Sequence, residues 1–121
     1  MRLAIVGSSE KAWTPERKLL AVGAIKMALQ LIQPDEVVSG ECPTGGVDIW
    51  AEELARELEY PFKSFPPAGR TWFHYKTRNM QIAEYCNRLV AIRSMDSTTY
   101  GSGWTADYAE KIGKTVDRLV L

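Results

Sequence analysis

Two unbroken apolar runs, Leu3-Ala4-Ile5-Val6 and Leu89-Val90-Ala91-Ile92, constrain this chain more than any other feature. A strand with one face in water alternates apolar and polar residues. A run with no polar position belongs to a strand covered on both faces, as in parallel sheets flanked by helices. Between the two runs, apolar residues recur at helical spacing. Thr14 is placed as an N-cap with Pro15 at the first helical position, and Leu19, Leu20, Ala24, Ala28, Leu31 and Ile32 follow until Pro34. A second helix carries Trp50, Ala51, Leu54, Ala55 and Leu58. A third runs from Phe73 to Cys86 with Ile82 and Ala83 on one face, and a fourth from about Trp104 to Gly113. Glu36-Val37-Val38, Phe62 to Phe65 and Val116 to Leu121 supply three further strands. Pro61 opens one of these and Asp117 and Arg118 sit in another, which marks both as sheet edges. Five strands alternating with four helices predict an α/β fold with a five-stranded parallel sheet in the order 3-2-1-4-5.

Composition narrows the functional classes. The 121 residues are 45% hydrophobic and 25% charged, as expected for one globular domain over 1–121. Lys+Arg and Asp+Glu are both 15, so there is no overall basic footprint for nucleic acid. Cys42 and Cys86 fit neither a metal-ligand spacing nor a disulfide framework. The apolar run after Arg2 is too short for a signal peptide, and no stretch reaches membrane-spanning length. The expectation is a cytoplasmic protein with no membrane association, no metal and no cofactor.

In open parallel sheets ligands bind at the carboxyl ends of the strands, where the strand order reverses, here between the first and fourth strands. Three Gly-containing turns fall at that rim. They are Gly7-Ser8-Ser9, the stretch from Ser39-Gly40 through Gly45-Gly46 to Asp48, and Gly101-Ser102-Gly103-Trp104-Thr105. Glycine lets backbone N–H groups come close to a ligand, and a helix N-terminus behind such a turn attracts anions, phosphate above all. Ser8, Ser39 and Thr105 add hydroxyls. Asp48 either holds a ribose hydroxyl or complements the positive end of its helix. Arg78 offers a planar guanidinium suited to a bidentate contact with phosphate. Cys42 lies inside the Gly loop, where a reactive thiol is the less favoured reading, and His74, the one histidine, has no nucleophile beside it and suits a surface or capping role. Trp72, Tyr100 and Trp104 flank the crevice, either to stack on a base or to bury a contact between two copies in a homo-oligomer.

In order and spacing these pieces resemble the SLOG superfamily, which unites the DNA-processing protein A family, the "lonely guy" phosphoribohydrolases and many small bacterial and phage domains. Ser39-Gly40 with Thr44-Gly45-Gly46-Val47-Asp48-Ile49-Trp50-Ala51-Glu52 is similar to its SGG-(A/C)-x-G-(A/V)-D-x-x-A-E motif, with one extra loop residue. Arg78-Asn79-Met80 before Leu89-Val90-Ala91-Ile92 resembles its RN helix and following strand. Gly101-Ser102-Gly103-Trp104-Thr105-Ala106-Asp107 resembles GG-x-GT-A-D, and Gly113 to Val116 the closing G-x-x-V. The resemblance covers nearly the whole chain and implies a Rossmann-like three-layer sandwich that binds a nucleotide-like small molecule. It also places Asn79 beside Arg78 in the site.

The chain departs from the phosphoribohydrolases where they cleave. Their motif P-G-G-x-G-T-x-x-E supplies a glutamate that works with an arginine on the N-glycosidic bond. Arg78 falls at that arginine's position, but Tyr108 falls at the glutamate's, and Trp104 and Ser102 replace glycines. The resemblance therefore carries binding of a nucleotide or nucleotide-derived phosphate better than hydrolysis. A nucleotide N-glycosidase would need Glu41, Asp48 or Asp107 to stand in for the glutamate. Single-stranded DNA binding would need a basic groove beside the aromatics, which the charge balance opposes.

Overall fold

The computed structural model describes residues 1–98 and 101–121. Its strands are β1 (Arg2–Gly7), β2 (Glu36–Ser39), β3 (Phe62–Ser64), β4 (Arg88–Arg93) and β5 (Thr115–Val120). Its helices are α1 (Pro15–Ile32), α2 (Val47–Glu57), α3 (Trp72–Tyr85) and α4 (Gly101–Lys111), with a 3-10 turn over Glu10–Ala12. Every neighbouring strand pair is parallel and the order is β3-β2-β1-β4-β5. This is a Rossmann-like three-layer sandwich, with the strand order that the apolar runs and edge marks predict.

The two apolar runs are unbroken because each supplies both faces of the sheet. Leu3 and Ile5 of β1, with Val90 and Ile92 of β4, pack against Ile25 and Leu29 of α1 and Trp50 and Leu54 of α2. Ala4, Val6, Leu89 and Ala91 point the other way, onto Ile82 and Ala83 of α3 and Ala106 and Ala109 of α4. Leu3, Ile5, Leu89 and Ile92 are fully buried, worth roughly 1.5–3 kcal/mol each. β3 and β5 are the edges. β5 is largely exposed, and its Asp117 pairs with Arg88 at 2.7 Å.

Two elements differ from expectation. Thr14 caps α1, accepting the Arg17 N–H at 3.2 Å with Pro15 in the first turn, and Gln33 ends it in the left-handed region. Yet the inward residues are Ala21, Ile25 and Leu29, while Leu19, Leu20 and Leu31 lie in solvent. α1 is apolar on nearly every side, so spacing alone defines two stripes and cannot say which one meets the sheet. α4 begins at Gly101, about three residues before the spacing suggests. Its glycines occupy the first turn, where the intrahelical hydrogen bonds that glycine weakens are not yet formed. Tyr100 lies outside the described residues. Among the described residues no helix is long and apolar enough to cross a membrane.

Candidate functional site

A cavity of about 540 Å³ opens at the carboxyl ends of β1 and β4, within the usual size range of small-molecule sites. β1 and the turn after it contribute Val6, Gly7, Ser8 and Ser9, and the 3-10 turn contributes Lys11. The loop into α2 contributes Cys42, Thr44 and Asp48. Trp72, Tyr75, Arg78 and Asn79 come from one face of α3, as their three- and four-residue spacing requires. Gly101, Ser102, Trp104 and Thr105 form the first turn of α4. The helix thus points its N-terminus, and the positive end of its dipole, at the cavity.

Of the residues expected from sequence, Gly7, Ser8, Asp48, Arg78, Asn79, Gly101, Ser102 and Thr105 line this space. Ser39, Gly40, Gly45, Gly46 and Gly103 do not, and the reason is packing. A Cβ on Gly40 would sit 2.2 Å from Arg78 Nη1 and 3.0 Å from Asp48 Oδ2. Gly46 has φ of +93°, and a Cβ there would lie 2.4 Å from the Ser8 carbonyl oxygen. Gly45, at φ +76°, abuts the Glu10 side chain. Gly40 and Gly46 let chain meet chain closely. The Ser39 hydroxyl donates to Ile5 O at 2.7 Å, which ties β2 to β1, and Gly103 is buried within α4.

Ser8 is largely committed to the scaffold. Its carbonyl accepts from Trp13 Nε1 at 3.1 Å and from the Val47 N–H at 3.3 Å. Its hydroxyl accepts the Ser94 N–H at 3.0 Å, and its own hydrogen goes to no acceptor among the described residues. Thr105 Oγ1 donates back along the helix to Gly101 O at 3.0 Å. Trp13 stacks edge-on against Trp50, which anchors the turn from behind.

The floor holds the pair Asp48 and Arg78, 6% and 7% exposed. Arg78 Nε donates to Asn79 Oδ1 at 2.7 Å, and Nη1 donates to Gly40 O. The guanidinium fork is therefore already partly engaged, through Nε and Nη1. Because Arg78 needs the Asn79 amide oxygen, the Asn79 NH2 group is left as a second donor. Burial pushes the Asp48 carboxyl up to about 6, against the opposing pull of the Arg78 charge and of the Cys42 and Gly7 N–H groups.

The outer wall is aromatic. Trp72 and Trp104 meet edge to face at 5.7 Å, and Trp104 stacks on Tyr108 with ring planes 4° apart. Tyr75 lies under the Arg78 guanidinium at 5.7 Å. Lys11 stands at the mouth with no ion-pair partner among the described residues. Sequence reasoning missed Lys11 and Tyr75. The helical spacing 72, 75, 78 was a usable signal for Tyr75, whereas a lone lysine after a turn carries none.

Asp107, Glu41 and His74 fall away from the cavity, whereas Cys42 lines it. Asp107 pairs with Arg118 at 2.7 Å on the outside of α4, and Glu41 does not line the space. His74 Nδ1 sits 2.8 Å from Thr71 Oγ1 at the start of α3. Cys42 Sγ lies 3.1 Å from Thr44 Oγ1 at the cavity edge. Among the described residues no group of three or more His, Cys, Asp or Glu could hold a metal ion.

No protein-family model and no curated protein matches the chain. Among solved structures, the molybdenum cofactor carrier protein MCP from Chlamydomonas reinhardtii is similar, with a TM-score of 0.73 and 18% identity. The match covers 99% of this chain and 77% of that one. At that identity the likeness is one of fold, and it extends over the whole sandwich.

Proposed function

We propose that this chain is a SLOG-type binding protein for a nucleotide or nucleotide-derived phosphate ligand. The observation that carries this reading is that cationic groups and aromatic rings line one cavity of about 540 Å³. Lys11, Arg78, the Asn79 amide and the N-terminus of α4 make up the first set, and Trp72, Tyr75 and Trp104 the second. A phosphate suits the first because point charges and helix dipole act together there. A planar base suits the second because ring faces and edges attract one another. The similarity in fold to a protein named as a cofactor carrier supports binding without turnover.

The test is isothermal titration with nucleoside monophosphates, the matching nucleosides, and inorganic phosphate. The nucleotide is expected to bind at least tenfold tighter than either fragment. Equal affinity for inorganic phosphate and nucleotide would remove the aromatic end from the reading, and no binding by any of them would overturn it. A second reading, N-glycosidic cleavage, rests on the presence of the Asp48 carboxyl beside Arg78 in the same cavity.

A further inference from the structure

Asp48 enters the cavity from the first turn of α2 and is almost wholly buried there. It is the one carboxylate lining the cavity among the described residues, and the other charged side chains on the wall, Lys11 and Arg78, are cations. A space built to draw an anion thus keeps a buried acid at its floor. Two negative charges brought close together in a poorly solvated place repel strongly. The acid and the expected ligand are in conflict.

The surroundings of Asp48 decide how the conflict resolves. β1 turns the Gly7 N–H to the carboxylate, β2 the Ser39 side chain, and the loop before α2 the Cys42 N–H. α3 supplies Arg78, whose Nη1 lies 3.9 Å from Oδ2 and which is the one ion-pair partner of Asp48 among the described residues. On α2 itself the next acid along the same line is Glu52, which answers Arg56 at 3.6 Å. The Cys42 thiol and the Tyr75 phenol are the remaining titratable groups on the cavity wall. An anion seated by Arg78 therefore shares a single guanidinium with Asp48. Two carboxylate-like charges that share one site do not both stay ionised, and one of them takes a proton. Burial has already raised Asp48 to about 6, so a modest further rise carries it past neutrality.

We propose that the protein takes up a proton on Asp48 as it binds its anionic ligand, so that affinity for the ligand is set by pH. The inference rests on the phosphate-binding reading above and adds a regulation to it. The proton comes from solvent on binding and returns there on release. The protonated acid still accepts the Gly7 and Cys42 N–H groups, and it leaves the Arg78 charge to the ligand. Linkage fixes the sign. If the anion favours the protonated form of Asp48, the protonated form favours the anion by the same factor. Affinity is then highest below about 6 and falls as pH rises above it.

The test is carbon NMR of the full chain labelled at its aspartate carboxyls, with the Asp48 signal assigned through its bonds to its own backbone. The protein is titrated from about pH 5 to about pH 9, alone and then saturated with a nucleoside monophosphate. The Asp48 midpoint is expected near 6 in the free protein and about one unit or more higher in the complex. A midpoint that stays or falls on binding overturns the inference and leaves the binding reading standing. No binding at any pH in the range overturns both. A second measurement uses Asp48→Asn, which is neutral throughout. It is expected to bind the same nucleotide roughly tenfold tighter than the parent at about pH 8, and to match it at about pH 5. Protonation of the ligand's own phosphate is common to both proteins and cancels in that comparison. Equal or weaker binding by Asp48→Asn at about pH 8 overturns the inference, weaker binding because it would make the carboxylate a contact of the ligand. The NMR titration needs no variant, so it decides the matter even if Asp48→Asn fails to fold.

Discussion

Arg78 and Asp48 face each other at 3.9 Å with both side chains 8% exposed, a separation too long for a hydrogen bond. The guanidinium directs its hydrogens to Gly40 O and Asn79 Oδ1 instead, so Asp48 feels its charge and not its donors. Burial then dominates, and the carboxyl rises from 3.8 to about 6. The folded state consequently binds a proton that the unfolded chain has already released between those two values. Stability from this group is fully present below pH 3.8 and is lost as pH rises through 6. Urea unfolding of the parent and of Asp48→Asn, compared from pH 3.5 to 7.5, is expected to show their stability difference moving by about 3 kcal/mol against the parent, from ~1.36 kcal/mol per unit. A difference that does not vary with pH would show that Asp48 titrates alike in both states.

Arg78→Ala removes the partner of a buried carboxylate and leaves the Gly40 carbonyl without its donor. The expected cost to stability is about 3–5 kcal/mol, read as a lower urea midpoint. Arg78→Ala combined with Asp48→Asn is expected to recover part of it. Full stability in the single variant would mean that Arg78 is not a structural member of the floor.

Lys11 is exposed at the cavity mouth, so its contribution is one of long-range charge. Lys11→Ala is expected to weaken binding of a nucleoside monophosphate by about 0.5–1 kcal/mol and to slow its association, with a shallower dependence on salt. Stopped-flow tryptophan fluorescence at two salt concentrations measures both. An unchanged association rate would place the anion away from the mouth.

The glycines separate by what surrounds them. Gly40→Ala forces a Cβ to 2.2 Å from Arg78 Nη1, and a loss of about 1–3 kcal/mol is expected. Gly101→Ala meets nothing within 4 Å, and a change within about 0.5 kcal/mol is expected. Thermal denaturation of the two variants side by side decides the matter, and equal midpoints would refute the packing account of Gly40.

Steady release of base from nucleoside monophosphates is not expected. N-glycosidic cleavage develops positive charge on the ribose and needs a carboxylate beside it. Tyr108 is a phenol whose hydrogen bond to Glu84, at 2.8 Å, raises its pKa further above neutrality. Asp48 is the one carboxylate lining the cavity among the described residues. Chromatography after long incubation tests this, and multiple turnovers lost in Asp48→Asn would move cleavage to first place.

How far the sequence carried depended on the range of the interaction behind each feature. The strand order was legible because β1 and β4 must be apolar on both faces, and β3 and β5 advertise their edges with Pro61, Asp117 and Arg118. The rim was legible because turns at the carboxyl ends of parallel strands must meet. The work of each rim residue was not. Gly40 looks free to approach a ligand until Arg78, 38 residues away in sequence, is seen lying against it. The inward face of α1 was equally hidden, because Leu20 and Leu29 are alike in hydropathy and differ only in what the sheet covers.

The close contact of Gly46 with Ser8 divides the site into parts that can change and parts that cannot. On that side the two loops touch backbone to backbone, so neither can gain a side chain or shift its path without moving the other. The rings that line the cavity come from elsewhere, Trp72 and Tyr75 on one helix and Trp104 on the next. Side chains at these three positions can change without touching the Gly46–Ser8 contact. Variation among relatives should therefore concentrate at 72, 75 and 104 and spare 8, 40 and 46.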